Sequence, residues 1–173
     1  MRLASLALFA LVPAAAQAAE RPLANLLPPT RETCFERHYD ADHLARHPKQ
    51  KVAALRLLHK PGDWRMEGRQ QTLFVMIYFN LRQRTTSNRY DYQISGFCKP
   101  AGRMLRCEPE WEAGHWRLAA GPGGTLDIRN EGLIANPSPY DAEEIADGAV
   151  RIPAKPDDGL WRLSPATEPC PIE

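Results

Sequence analysis

The sequence predicts a mostly β fold, an antiparallel meander of roughly seven to nine strands with one or two short helices. Apolar and polar residues alternate along five successive segments between Thr72 and Asn130, which is the pattern of strands with one buried face. Turn-forming residues, among them Gly121-Pro122-Gly123-Gly124, separate these segments. Because so long a meander must curl or split to bury its inner face, we expect either a closed barrel or a two-sheet sandwich.

An export signal precedes the predicted domain. Arg2 is followed by an apolar run, Leu3–Val12, and Ala16-Gln17-Ala18 places small residues where a signal peptidase cleaves. We expect cleavage after this tripeptide, which makes residues 1–18 a signal peptide and residues 19–173 a single domain in the periplasm of a bacterium or secreted into the medium. The apolar run is shorter than the ~20 residues that span a bilayer, so no transmembrane segment is predicted.

The charge balance argues against one class of partner. Cleavage removes one basic residue and no acidic residue, which leaves 21 lysines and arginines against 21 aspartates and glutamates. Nucleic-acid binders draw much of their affinity from basic residues that neutralise phosphates. The sequence therefore predicts no nucleic-acid partner.

The segments that flank the meander predict short elements. Asp40 is a suitable N-cap for a brief helix that ends at His47, before Pro48. Ser138 is a suitable cap for a second helix, which Gly148 would end. Further strands are predicted over Lys51–Lys60, Ala149–Pro153 and Leu160–Ser164.

The first hairpin of the meander is predicted from the alternating segments on either side of the polar loop Thr85–Asn88. With a four-residue loop, Phe79 lies opposite Ile94, and apolar residues meet along the whole inner face. On the outer face Arg82 lies opposite Asp91. A slip of one residue would destroy both matches.

The next turn, Gly102-Arg103, places Cys98 opposite Cys107. Directly opposed residues on paired strands are close enough to form a disulfide at some sites. An even number of cysteines in an exported chain predicts two disulfides, so Cys34 and Cys170 are partners by elimination. The four cysteines are scattered and form no C-x-x-C pair, which makes a zinc site the weaker alternative.

A third turn is predicted at Ala113-Gly114. It sets Trp111 against Trp116 on the inner face, and Glu110 against Arg117 on the outer face. Together with Phe79 and Tyr92, these two tryptophans project inward in the predicted register. A cavity for an apolar ligand would be lined in this way, although such residues more often fill a core.

Three histidines lie together in the sequence at His38, His43 and His47. On a helix the second and third are four residues apart and could share a metal ion. The alternative is a solvated surface, because the glutamate that accompanies histidine pairs in helical metalloenzyme motifs is missing.

The outer face of the first hairpin carries a cluster of apolar side chains, namely Phe74, Met76, Tyr78 and Phe97. An exposed patch of this kind needs a cover, which is either another part of the chain or a partner. Arg82, Arg84 and Arg89 surround the loop at the other end. They either meet an anionic partner, such as envelope lipid or polysaccharide, or keep the loop soluble.

The stretch Cys34-Phe35-Glu36-Arg37-His38-Tyr39-Asp40, followed by His43–Val52 and by Gly96-Phe97-Cys98, resembles small exported bacterial proteins of uncharacterised function. In general plan the predicted domain is also similar to lipocalin-like barrels and to periplasmic lysozyme inhibitors. The first resemblance implies export and assigns no functional residue. The other two imply an architecture alone, since a fold does not fix a function.

These observations predict an exported, non-enzymatic binding module for a small apolar ligand or an envelope partner. Two alternatives are an envelope metal-binding protein or enzyme that uses His38, His43 and His47, and a protein inhibitor that acts through a surface loop. No cofactor is predicted. No catalytic residue is assigned, because the chain has no G-x-S-x-G motif and every cysteine is assigned to a disulfide.

Overall fold

The computed structural model describes residues 23–67, 70–82, 90–109, 112–138 and 145–167. The predicted signal peptide and most of the helix predicted after Ser138 lie outside these residues, as do Trp111 and Cys170. None of the helices in the described ranges is long and apolar enough to cross a membrane.

The described part of the chain contains ten strands and two short α-helices. The helices are α1 (Leu23–Leu26) and α2 (Ala41–Arg46). The strands are β1 (Thr33–His38), β2 (Val52–His59), β3 (Trp64–Glu67), β4 (Gln70–Leu81), β5 (Tyr92–Ala101), β6 (Met104–Glu108), β7 (Gly114–Ala120), β8 (Leu126–Pro137), β9 (Val150–Ile152) and β10 (Leu160–Pro165). A 3-10 turn, Pro122–Gly124, joins β7 to β8 where a turn is predicted.

The strands form one antiparallel sheet that closes into an eight-stranded barrel. Around the barrel the order is β1, β2, β4, β5, β6, β7, β8 and β10, and β10 pairs with β1 to complete the ring. β3 lies beside β4, and β9 lies beside β8. The end of β8 also pairs directly with the start of β5. The β6–β7 hairpin therefore lies between β5 and β8 only over the remaining length of these two strands. Of the two predicted closures, the chain adopts the barrel.

The alternating residues of the meander point into the barrel, as predicted. Val75, Ile77 and Phe79 of β4 are fully buried. Each barrel strand contributes to the same core, with Phe35, Leu55, Ile94, Leu105, Leu118, Ile128 and Leu163 from the others. Because burying one such side chain contributes about 1.5–3 kcal/mol, this core is the main stabilising feature of the fold.

The predicted register of the first hairpin is wrong by two residues. Phe79 pairs with Tyr92 and not with Ile94. A shift of two residues returns every side chain to the same face, so the apolar pattern fits both registers equally well. Arg82 therefore does not lie opposite Asp91, whose backbone N–H donates to the Phe79 carbonyl at 3.2 Å.

The predicted register of the third hairpin is wrong by four residues. Trp116 pairs with Cys107 and not with Trp111. β6 ends at Glu108 and β7 begins at Gly114, so the connection is longer than a two-residue turn. The correction moves every cross-strand partner of β7, and it changes which charges meet on the outer face.

The second hairpin has the predicted register, and Cys98 lies directly opposite Cys107. The two cysteines form a disulfide, which confirms that prediction. Cys34 is also disulfide-bonded. Its predicted partner, Cys170, lies outside the described residues.

The short elements outside the meander are confirmed in part. The first predicted helix forms as α2, and the His43 N–H donates to the capping carboxylate of Asp40 at 2.6 Å. The strands predicted on either side of the meander form as β2, β9 and β10. The sequence pattern does not predict β1, because Phe35 is its only buried residue, and it does not predict α1 or β3.

Candidate functional site

The described aromatic residues predicted to line a cavity lie within the core. Phe79, Tyr92 and Trp116 are all buried. The Phe79 and Trp161 rings pack in a T-shaped arrangement with centroids 5.6 Å apart. This packing favours the alternative in which these side chains fill the barrel. One feature favours a ligand: within the described residues, the buried indole N–H of Trp116 has no hydrogen-bond partner.

Of the three histidines predicted as metal ligands, His38 ends β1, His43 lies on α2 and His47 caps the C-terminus of α2. The rings of His43 and His47 stack, with centroids 4.4 Å apart and planes at 25°. Ring-nitrogen lone pairs lie in the ring plane, so two nearly parallel rings do not point at one ion. His38 instead faces Glu36 across 3.6 Å on β1. No group of three or more His, Cys, Asp or Glu side chains in the described ranges is placed to hold a metal ion.

A cleft of about 310 Å³ lies beside His43 and His47. Tyr39 stacks on His43 with ring centroids 4.5 Å apart, and the Arg37 guanidinium lies 5.0 Å from the Tyr39 centroid. Burial raises the pKa of Tyr39 to about 12. His43 Nε2 lies 3.0 Å from Gln50 Oε1. Because these groups already contact one another, the cleft offers a ligand few free partners.

Apolar side chains occupy the outer face of β4 and β5, as predicted. Phe74, Met76 and Phe97 are partly exposed, and the two phenylalanine rings lie 5.3 Å apart. We call these three residues the apolar patch. Tyr78, the fourth predicted member, is buried, and its hydroxyl donates to Met76 Sδ at 3.4 Å.

A cleft of about 680 Å³ borders the apolar patch at Phe97. Met66, which is 67% exposed, lies in its wall. Three cationic side chains, Arg65, Lys99 and Arg106, line the same cleft. Glu108, whose carboxylate pairs with Arg106, lines it as well, so the cleft combines apolar surface with an excess of positive charge.

A row of positive charges crosses the outer face of four neighbouring strands. Lys99 of β5 pairs with Arg106 of β6, which pairs with Arg117 of β7, which in turn pairs with Arg129 of β8. Directly opposed residues share a face of the sheet, so the four side chains stand side by side. We call these four residues the cationic row.

Carboxylates flank the cationic row. Glu108 lies 2.9 Å from Arg106, and Glu131 lies 2.9 Å from Arg117. Asp127 is held by Arg162, which donates two hydrogen bonds to it at 2.7 and 2.8 Å. Within the described part of the chain, Arg129 takes part in no ion pair. The positive strip is therefore about one residue wide.

The sequence pattern does not predict the cationic row. It predicts that Arg117 meets Glu110, which would have made an ordinary ion pair. The basic residues Arg106, Arg117 and Arg129 are visible in the sequence. The wrong register of the third hairpin does not place Arg106 opposite Arg117, so their alignment is missed. Of the basic residues predicted at the first hairpin loop, Arg82 donates to the His47 carbonyl at 3.2 Å, while Arg84 and Arg89 lie outside the described residues.

No family model, no curated protein and no solved structure matches this chain. The resemblances drawn from the sequence therefore stay predictions. What the protein does has to be inferred from its own residues, and the outer face of β4 to β8 is the candidate site that its charges and apolar groups define.

Proposed function

We propose that this chain is an exported, non-enzymatic binding protein of the bacterial envelope, and that it binds an anionic partner on the outer face of its barrel. The cationic row is the observation that carries this proposal. Like charges directly opposite each other destabilise a sheet. The strands that carry the row are paired on both sides and are not edge strands. The charges therefore do not serve to prevent edge-to-edge aggregation. An arrangement of like charges that does not stabilise the sheet is expected at a binding site, where function and not stability selects the residues.

Two features support export. The N-terminal residues have the three parts of a signal peptide. The Cys98–Cys107 disulfide lies in the core, and structural disulfides persist in oxidising compartments. Export also limits the partner to molecules of the envelope or the surroundings.

The interior of the barrel is the second candidate binding site. The observation that favours it is the indole N–H of Trp116, because a buried donor left without an acceptor costs about 1–3 kcal/mol. A small apolar molecule with one acceptor atom would satisfy this group. The packing of the neighbouring aromatic side chains argues against this version.

Photo-crosslinking in the producing bacterium tests the proposal. A photoreactive phenylalanine analogue in place of Phe97 is compared with the same analogue in place of Asp42, an exposed residue of α2. We expect an adduct at position 97 and none at position 42. Equal labelling at both positions would contradict the proposal. A small molecule released in stoichiometric amount by denaturation would support the interior site instead.

A further inference from the structure

We infer that the cationic row binds a stretch of acidic polysaccharide that lies across strands β5 to β8. This inference rests on the proposed function and names the chemistry of the partner. Adjacent strands are ~4.8 Å apart, so the four cations span about 14 Å in nearly even steps. An extended chain with one carboxylate or sulfate on each sugar presents charges in a similar progression.

The width of the cationic row favours a single chain over a flat surface. Asp127 and Glu131 lie two residues to either side of Arg129 on β8, and Glu108 lies two residues from Arg106 on β6. An anionic membrane would approach these carboxylates as closely as it approaches the arginines. A single polyanionic chain can follow the strip and avoid them.

The side chains of the row can make the required hydrogen bonds. Arginine presents a planar fork of donors that matches a carboxylate or sulfate. The Arg106–Glu108 pair is solvent-exposed, and the side chains of the Arg117–Glu131 pair are 39% and 27% exposed. Exposed ion pairs are weak enough for a ligand carboxylate to replace them. Arg129 takes part in no ion pair within the described ranges and is available without such an exchange.

The apolar patch lies beside the β5 end of the cationic row, on the same side as Glu108, which is the cross-strand partner of Phe97. Phe97 precedes Lys99 by two residues on the same face of β5, so its ring lies next to the first cation. An aromatic ring offers a flat apolar surface on which the C–H face of a sugar ring packs. A ligand with both sugar rings and anionic groups would use both features.

Single-stranded nucleic acid is the other flexible polyanion that a positive strip with an aromatic side chain would fit. The predicted signal peptide and the neutral balance of the mature chain argue against it. Nucleic acid and anionic membrane are therefore kept as outcomes of the test.

Titration calorimetry with oligogalacturonates of increasing length tests this inference on the mature protein. We expect affinity to rise with chain length and to level off at roughly four sugars, when every cation of the row is occupied. Neutral malto-oligosaccharides of the same lengths are expected not to bind. Oligothymidylate and phosphatidylglycerol vesicles are titrated in parallel.

Two pairs of variants distinguish the row from positive charge in general. Arg117→Gln with Arg129→Gln is expected to weaken oligogalacturonate binding roughly tenfold or more and to reduce its salt dependence. Arg31→Gln with Arg46→Gln removes two exposed arginines outside the row and is expected to change affinity by less than about twofold. Lys99→Gln with Arg106→Gln is a second row variant, in case the first does not fold.

Three outcomes would overturn the inference. The first is that the row variants and the control variants bind oligogalacturonate with equal affinity, and the second is that digalacturonate binds as tightly as longer chains do. The third is that oligothymidylate or the vesicles bind more tightly than oligogalacturonate. These outcomes are distinguishable from failure of the proposed function. If position 97 still cross-links in the bacterium, an outer-face partner exists but is not an acidic polysaccharide. If it does not, both proposals fail.

Discussion

At the scale of the residue, Gly96 of β5 allows the core to close around Trp116. A Cβ atom at position 96 would lie 2.5 Å from the Glu108 carbonyl oxygen and 2.6 Å from Cη2 of Trp116. Neither atom can move freely, because the oxygen belongs to the backbone of β6 and the indole is enclosed by the core. Glycine is needed at position 96 because the Trp116 side chain and the backbone of β6 occupy the space that a Cβ atom would need.

We predict that Gly96→Ala lowers the free energy of unfolding by about 1–3 kcal/mol, the range for overpacking a core. Urea denaturation monitored by tryptophan fluorescence measures it. Ser95→Ala, at the adjacent half-buried position, is the control and is expected to change stability by about 0.5 kcal/mol or less. An unchanged midpoint for Gly96→Ala would show that Trp116 is not held against β5.

A second residue-scale feature is the ion pair of Glu36 and Arg56 on the outer face of β1 and β2. Glu36 Oε2 lies 2.6 Å from Arg56 Nη2, and the side chains are 24% and 17% exposed. The Arg56 guanidinium also lies 5.3 Å from the ring centroid of Tyr90. The hydrogen bond from Arg56 lowers the pKa of Glu36 below its usual value of 4.5.

A carboxyl group whose pKa is lower in the folded state than in the unfolded state stabilises the protein when the pH is above the unfolded-state pKa. This contribution is lost as the pH falls through the folded-state pKa. We therefore predict that Glu36→Gln destabilises the protein by about 1–2 kcal/mol at neutral pH. The difference from wild type is expected to shrink as the pH falls below 4.5. Denaturation curves across this range measure it, with exposed Glu32→Gln as control. A difference that does not depend on pH would contradict the assignment.

At the scale of the element, the cationic row makes the pairing of β6, β7 and β8 electrostatically unfavourable. Like charges on directly opposed residues repel each other, and Arg106 and Arg117 each pair with a neighbouring carboxylate. The strands pair in this way because their inner faces carry fully buried residues such as Leu118 and Ile128. Apolar burial therefore outweighs the charge repulsion.

We predict an unfavourable coupling of about 0.2–1 kcal/mol between Arg117 and Arg129 in a double-mutant cycle of Arg→Gln variants at low salt. Because Arg129 is exposed and Arg117 is partly exposed, the coupling should fall toward zero in about 1 M salt. Chemical denaturation of the four proteins measures it. A favourable coupling that persists in salt would mean that the two guanidinium groups stabilise the sheet.

The elements illustrate what the sequence can predict and what it cannot. Alternation identifies β4, β5 and β8 and the face that each one buries, because it reports directly on burial. It does not fix the register, since shifts of two and four residues keep every side chain on its face. The pair Cys98–Cys107 is found correctly because a tight turn, and not alternation alone, sets its register. The cationic row depends on register and is therefore missed.

At the scale of the whole molecule, the barrel is closed by backbone pairing and reinforced by disulfides. Cys98 and Cys107 are fully buried and only nine residues apart in sequence. In the loop-entropy model so short a loop gives a modest stabilisation. We predict that Cys98→Ala with Cys107→Ala lowers the free energy of unfolding by about 2–3 kcal/mol and leaves the near-UV circular dichroism spectrum native-like. An unchanged stability, or a chain that no longer folds, would contradict this prediction.

The overall architecture was predictable to the level of a curled antiparallel meander. The strands that complete the ring were harder to predict: β1 buries only Phe35, so its closure against β10 leaves little trace in the sequence. Of the predicted inward aromatic residues, Phe79, Tyr92 and Trp116 are buried, and Trp111 lies outside the described residues. Their packing depends on neighbours such as Trp161 that are distant in sequence. The cationic row does not depend on this closure, because the successive hairpins β5–β6, β6–β7 and β7–β8 place its basic residues side by side.

The central claim is that binding takes place on the outer face of the barrel and not inside it. An NMR titration of the mature protein with oligogalacturonate tests this claim most directly. We predict that resonances of Lys99, Arg106, Arg117 and Arg129 shift, while the indole N–H resonance of Trp116 stays in place. A shift of the Trp116 resonance, with none along the cationic row, would contradict the account.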